Sequence, residues 1–245
     1  MKAIIRDTLV CLTFTGLHTA TGHPLQQTPD SKKKQAPISI SPVTGIPADS
    51  TLHFDTMVPF IRDTSFNRID TRMKAAAVRL KQKIVLAKAF LQENNFNTEI
   101  CFMVDMSIPS GKKRFFVYNI KKDTVEFSSM VSHGYGSWRT DCDDKLVFSN
   151  MANSKATSLG KYRIGTSYYG TYGLSYRLYG LDSSNSNAIP RAIVLHSDRY
   201  VPETEPYPRH IFESAGCPTV SESFLVVLTK YMKKSRKPML LWIYN

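Results

Sequence analysis

From residue 98 onward the chain breaks into short runs of β-branched and aromatic residues: EICFMVDMS, RFFVYNI, DTVEFSSMV, KLVFSN, KYRIGTSYYG, LSYRLYG, RAIVLH and the terminal MLLWIYN. Glycine, serine or asparagine stands between many of them. Runs of this length and composition are strands. In the first, Ile100, Phe102, Val104 and Met106 alternate with other residues, the period of a strand with one buried face. So many short strands predict a mainly β fold, a mostly antiparallel sandwich or barrel.

Helical periodicity brackets this region. From Asp70, Met73, Ala76/Ala77, Leu80, Ile84, Ala87 and Leu91 recur at steps of three and four, while Lys74, Arg79, Lys81, Lys83 and Lys88 share the remaining surface. The pattern predicts a helix that stops near Asn94-Asn95 and docks its apolar face on the core. A second helix is expected from about Val220 to Lys234, burying Phe224, Leu225, Val227, Leu228, Tyr231 and Met232. Residues 23–60 hold six of the thirteen prolines among Ser, Thr and Gln with little periodicity, which reads as a flexible linker. The expected organisation is a helical extension over 61–97 and a β-rich domain over 98–245.

The first 22 residues read as an address. Lys2 and Arg6 form a basic start, Thr8 to Leu17 an apolar stretch too short to span a bilayer, and Ala20-Thr21-Gly22 a small-residue cleavage site. Export follows as an expectation, with no transmembrane segment in the mature chain. A formal charge of +12 suits an anionic neighbour, but the lysines and arginines are spread out, and nucleic acid is not an expected partner. Loss of Cys11 with the leader leaves Cys101, Cys142 and Cys217, an odd number for an oxidising compartment. One arrangement pairs Cys101 with Cys142 and leaves Cys217 free; the alternative is three reduced, buried cysteines.

Cys217 sits in SAGCPTVSESF. Thr219-Val-Ser-Glu222 fits a capping box, with Ser221 as the other candidate cap, so Cys217 is expected just before a helix N-terminus, where the dipole favours a thiolate. Gly216 lets backbone approach a substrate carbonyl, and the amides of 216 and 217 are candidate oxyanion donors. His196, closing RAIVLHS, is the candidate base for the thiol proton. Metal binding by His133, His196, His210 or Asp198 lacks the short spacings of zinc sites, so neither a metal nor another cofactor is expected.

HSDRYV followed by SAGCP, with seventeen residues between His196 and Ser214, resembles the histidine-to-S-x-G-C signature of the murein L,D-transpeptidase catalytic domain family. VSHGYGS, FSN, TSLGKYRIG, YGLSYRLYGLD, NSNA, RAIVLH and GCP resemble one branch of it, in order, over roughly residues 98 to 225. The resemblance implies an L,D-transpeptidase-like β fold with a helix after the cysteine, acting on peptidoglycan peptide stems in the bacterial periplasm or cell envelope. It implies Cys217 as nucleophile, His196 as base, Gly216 and Cys217 as oxyanion donors, and a backbone carbonyl around Ser214 orienting the histidine. His133, Arg191, Asn185 and Asn187 match the branch and either shape the donor site or brace loops. The chain departs from many relatives at Ala215, where they have histidine, and at Thr219, where they have arginine or asparagine. A hydrolase that trims stems without cross-linking, and a non-catalytic basic envelope-binding module, are the rival readings.

Overall fold

A computed structural model describes residues 64–138 and 145–245. The leader, the linker and Cys142 lie outside the described residues. Two α-helices, α1 (Thr64–Glu93) and α2 (Glu222–Lys234), accompany eight strands: β1 (Ile100–Asp105), β2 (Phe115–Asn119), β3 (Thr124–Ser129), β4 (Gly160–Gly170), β5 (Gly173–Gly180), β6 (Val194–Ser197), β7 (Thr219–Val220) and β8 (Met239–Tyr244). The fold is mainly β with one helix ahead of the sheet and one near the C-terminus, as expected.

The strands join in a single sheet of order β3-β2-β1-β8-β4-β5-β6-β7. Neighbours are antiparallel except β1–β8 and β6–β7. Alternation along the strands sends side chains to two apolar clusters. Phe102, Val104, Phe115, Tyr162, Leu178, Leu195 and Leu241 meet Phe224, Leu225 and Leu228 of α2 in the larger cluster. Cys101, Met103, Tyr118, Leu240 and Tyr244 meet Leu80, Ile84, Ala87 and Leu91 of α1 in the other. The stripe read from the sequence is thus the docked face, although α1 starts ahead of Asp70 and Ala77 stays exposed.

Cys101, in the second cluster, is a free and fully buried thiol whose pKa burial raises to about 12. Among the described residues Cys101 has no disulfide partner, its sulfur lying between β1 and α1; the pairing with Cys142, one of the two arrangements expected, falls outside the described residues. At α2 the structure decides between the two candidate caps. Ser221 is the cap, its hydroxyl accepting from the Phe224 amide at 3.3 Å, while Thr219 belongs to β7. Cys217 is consequently separated from the helix by a strand and lies outside the reach of the first-turn dipole.

Candidate active site

The register of β6 and β7 builds the site. His196 pairs with Thr219 across this parallel edge and faces Ser175 of β5 on the other side. Its side chain is buried, with Nδ1 3.0 Å from the Ser197 carbonyl oxygen and Nε2 3.0 Å from the Thr219 hydroxyl. A carbonyl can only accept, so Nδ1 carries the proton and Nε2 keeps the lone pair. Burial lowers the His196 pKa, opposed by the Ser197 hydrogen bond and the Asp198 charge. At the turn joining β4 to β5, the Tyr172 ring stacks on the imidazole, 4.5 Å between centroids and 24° between planes.

Cys217 is half-buried two residues before Thr219. Its thiol donates to the Ala192 carbonyl at 3.8 Å and accepts from the Val194 amide. Burial raises its pKa, against the pull of that amide and of the Arg191 charge. The thiolate expected from a helix N-terminus is thus replaced by a protonated thiol beside a neutral imidazole.

Both side chains open onto one cavity of about 120 Å³. Tyr135, Tyr172 and Phe212, each more than a third exposed, form an aromatic rim, and Asp198 and Glu213 contribute carboxylates. Burial raises the Glu213 pKa, opposed by the His210 charge. Roomier grooves lie elsewhere, including one of about 370 Å³ bordered by Glu99 and Lys234, but it holds neither a cysteine nor a histidine.

The turn carrying the cysteine is held from upstream. The Ser214 amide donates to the His133 carbonyl at 2.9 Å, and the Tyr135 amide donates to the Ser214 carbonyl at 2.8 Å, with a parallel bridge between Gly134 and Ser214. Within the turn, the Ser214 hydroxyl donates to the Cys217 carbonyl at 2.6 Å and accepts from the Gly216 amide at 3.1 Å. Gly216 has φ +113°, and a Cβ there would stand 2.9 Å from the Ala156 carbonyl oxygen, so only glycine fits.

Three further signature residues scaffold the surrounding loops. Arg191 donates to the Ser149 carbonyl at 2.8 Å and the Ala156 carbonyl at 2.5 Å. Asn185 donates to the Lys161 carbonyl at 2.8 Å and accepts from the Asp182 amide at 2.9 Å, and Asn187 donates to the Asn150 carbonyl at 3.0 Å. His133 is buried, with Nδ1 2.9 Å from the Arg114 guanidinium and its ring edge-on to Trp138. Arg114 is fully buried and also donates to the carbonyls of Val131 and Ile108.

The pattern of the L,D-transpeptidase catalytic domain matches residues 71–244, most of the chain. The chain belongs to the L,D-transpeptidase catalytic domain family. No curated protein matches it. Similar solved structures include the L,D-transpeptidase from Xylanimonas cellulosilytica, 13% identical over 59% of this chain and 60% of that one, TM-score 0.33. Bd1075 from Bdellovibrio bacteriovorus is 17% identical over 61% and 49%, TM-score 0.37. The helical cell shape determining protein Pgp2 from Campylobacter jejuni is 11% identical over 60% and 47%, TM-score 0.38. The chain therefore covers between 47% and 60% of the length of these proteins.

In this L,D-transpeptidase catalytic domain, Cys217 and His196 line one cavity, and two details differ from expectation. The histidine is oriented by the Ser197 carbonyl, whereas the Ser214 carbonyl is taken by the Tyr135 amide. The Gly216 amide is engaged by the Ser214 hydroxyl, which leaves Cys217 as the remaining candidate oxyanion donor of the pair. Tyr135, Phe212 and Glu213 were not singled out by sequence reasoning. The one available signal was the adjacency of Phe212 and Glu213 to the S-x-G-C turn.

Proposed function

We propose that this domain is a cysteine-dependent peptidoglycan L,D-transpeptidase. The observation that carries the reading is the opening of the Cys217 thiol and the His196 imidazole, with its lone pair on Nε2, onto one cavity. Rotation about the Cα–Cβ bond of Cys217 moves the sulfur off the Ala192 carbonyl and toward the ring. The sulfur then bonds to the diaminopimelate carbonyl carbon of a tetrapeptide stem while its proton passes to Nε2. The Cys217 amide stabilises the oxyanion. Collapse breaks the C–N bond, D-alanine leaves with the proton from Nε2, and the stem remains as a thioester.

An ammonium of a second stem loses one proton to solvent, and the free amine attacks the thioester carbon; its next proton passes to Nε2 and on to the departing sulfur as the C–S bond breaks, which restores the Cys217 thiol. Among the described residues the cavity lining includes Asp198 and Glu213 but no lysine or arginine, in a chain of net charge +12. This local inversion of charge attracts an ammonium-bearing acceptor and supports aminolysis over hydrolysis. Action on peptidoglycan supports residence in the cell envelope, with residues 1–22 as the export signal. Among the described residues no helix is long and apolar enough to cross a membrane.

Incubation with purified disaccharide tetrapeptides, followed by mass spectrometry, tests the reaction. Cross-linked dimers are expected; tripeptides alone would replace the reading with a carboxypeptidase, and no change would leave a binding module. Cys217→Ala and His196→Ala should each abolish turnover with circular dichroism unchanged, and the wild type should gain the mass of a carbapenem on Cys217. Full activity in Cys217→Ala would sink the mechanism.

A further inference from the structure

Thr219 touches the His196 ring and the main chain of Cys217. It is fully buried, with Oγ1 3.0 Å from His196 Nε2 and 3.4 Å from the Cys217 carbonyl oxygen. Because Nδ1 already donates to Ser197, Nε2 has only a lone pair to offer, and the Thr219 hydroxyl must be the donor to it. Its second contact, the Cys217 carbonyl, is an alternative acceptor for the same proton. The hydroxyl therefore has two destinations within reach of one rotation about its C–O bond.

We propose that Thr219 is a positioning residue for the acyl transfer: its hydroxyl, donating to the lone pair of the tautomer that the Ser197 carbonyl sets, keeps Nε2 aimed at the cysteine-bearing turn and yields that lone pair when the thiol arrives. The role in turnover rests on the function proposed above; the tautomer does not. During attack the S–H bond breaks and an Nε2–H bond forms as sulfur bonds to the carbonyl carbon. The Thr219 O–H turns to the Cys217 carbonyl, and its oxygen accepts from the new Nε2–H. When the proton leaves for the departing amine, the hydroxyl turns back. A group that both donates and accepts can follow the imidazole through both protonation states, which a methyl group cannot. The register of β6 and β7 keeps Thr219 directly opposite His196, so the contact is set by main-chain pairing.

The test uses the full-length chain. Long-range proton–nitrogen correlation spectra of the uniformly labelled wild type, recorded on the alkaline side of the histidine range, should show Nδ1 protonated and Nε2 as the bare nitrogen. Thr219→Val, similar in size at a strand position, should leave the Nδ1–H tautomer in place, because the Ser197 carbonyl is untouched, but slow alkylation of Cys217 by iodoacetamide about tenfold, read by intact mass. Thr219→Ser, which restores the hydroxyl, should recover most of the rate. A wild-type spectrum with the proton on Nε2 would overturn the proposal without any variant. So would a Val variant that alkylates at the wild-type rate, or a folded Ser variant as slow as Val. None of these measurements uses a peptide stem, so they stand apart from the turnover test of the enzymatic reading.

Discussion

His133 sits against the Arg114 guanidinium, and a proton added to its ring would meet a like charge in a buried place. Burial and then the Arg114 charge, with a smaller push from His210, lower its pKa to about 3 from an ordinary 6.5. The sign of the linkage follows. Below about pH 6.5 the unfolded chain binds a proton that the folded one refuses, so stability is lost as pH falls from there toward 3. Burial of neutral His196 adds in the same direction. Urea unfolding across this window should show the decline, and His133→Asn, whose amide oxygen can still accept from Arg114, should flatten it. An unchanged slope in that variant would mean that other groups govern the acid response. Because the His133 carbonyl also accepts from the Ser214 amide, the same residue links the buried guanidinium to the cysteine-bearing turn.

At the scale of elements, α1 is held by one face. Ile84 is buried among residues of the second apolar cluster, whereas Val85 is 67% exposed on the far side of the helix. Ile84→Ala should cost about 2–5 kcal/mol and Val85→Ala far less, measured as shifts in urea midpoint at constant slope. The face of α1 was legible because steps of three and four are local properties of a sequence. The buried side of α2 was legible for the same reason: Phe224, Leu225 and Leu228 are buried as expected, while Val227, Tyr231 and Met232 are only partly buried against the same cluster. The sheet order was not. β1 lies beside β8 and β8 beside β4, pairings between segments far apart in the chain that no local pattern encodes. Nor was β7, two residues long, and both Thr219 and Ser221 carry the hydroxyl that a helix cap needs. What decided between them was the neighbouring strand: pairing with His196 drew Thr219 into the sheet and left Ser221 to the helix. Cys217 and His196 could be picked out as candidates from their motifs, but the resting thiol conformation depends on Ala192 and Val194, whose contribution comes from the backbone alone.

Across the whole molecule the +12 charge is spread widely, while the cavity shared by Cys217 and His196 carries carboxylates. On the proposed function, long-range attraction to an anionic wall and local selection of a cationic acceptor would be separate effects with different salt responses. Co-sedimentation with purified peptidoglycan sacculi should weaken steeply as ionic strength rises through the physiological range, because exposed charges are screened over about 8 Å. Binding indifferent to salt would assign the wall affinity to the cavity and its rim instead. The remaining consequence comes from the bridge between Gly134 and Ser214. A Cβ on Gly134 would stand 2.8 Å from the Gly216 Cα, so two stretches some eighty residues apart in sequence interlock like halves of a clasp. Transplanting the cysteine loop by itself into another scaffold would separate those halves; a working graft has to carry both, cut from the same parent.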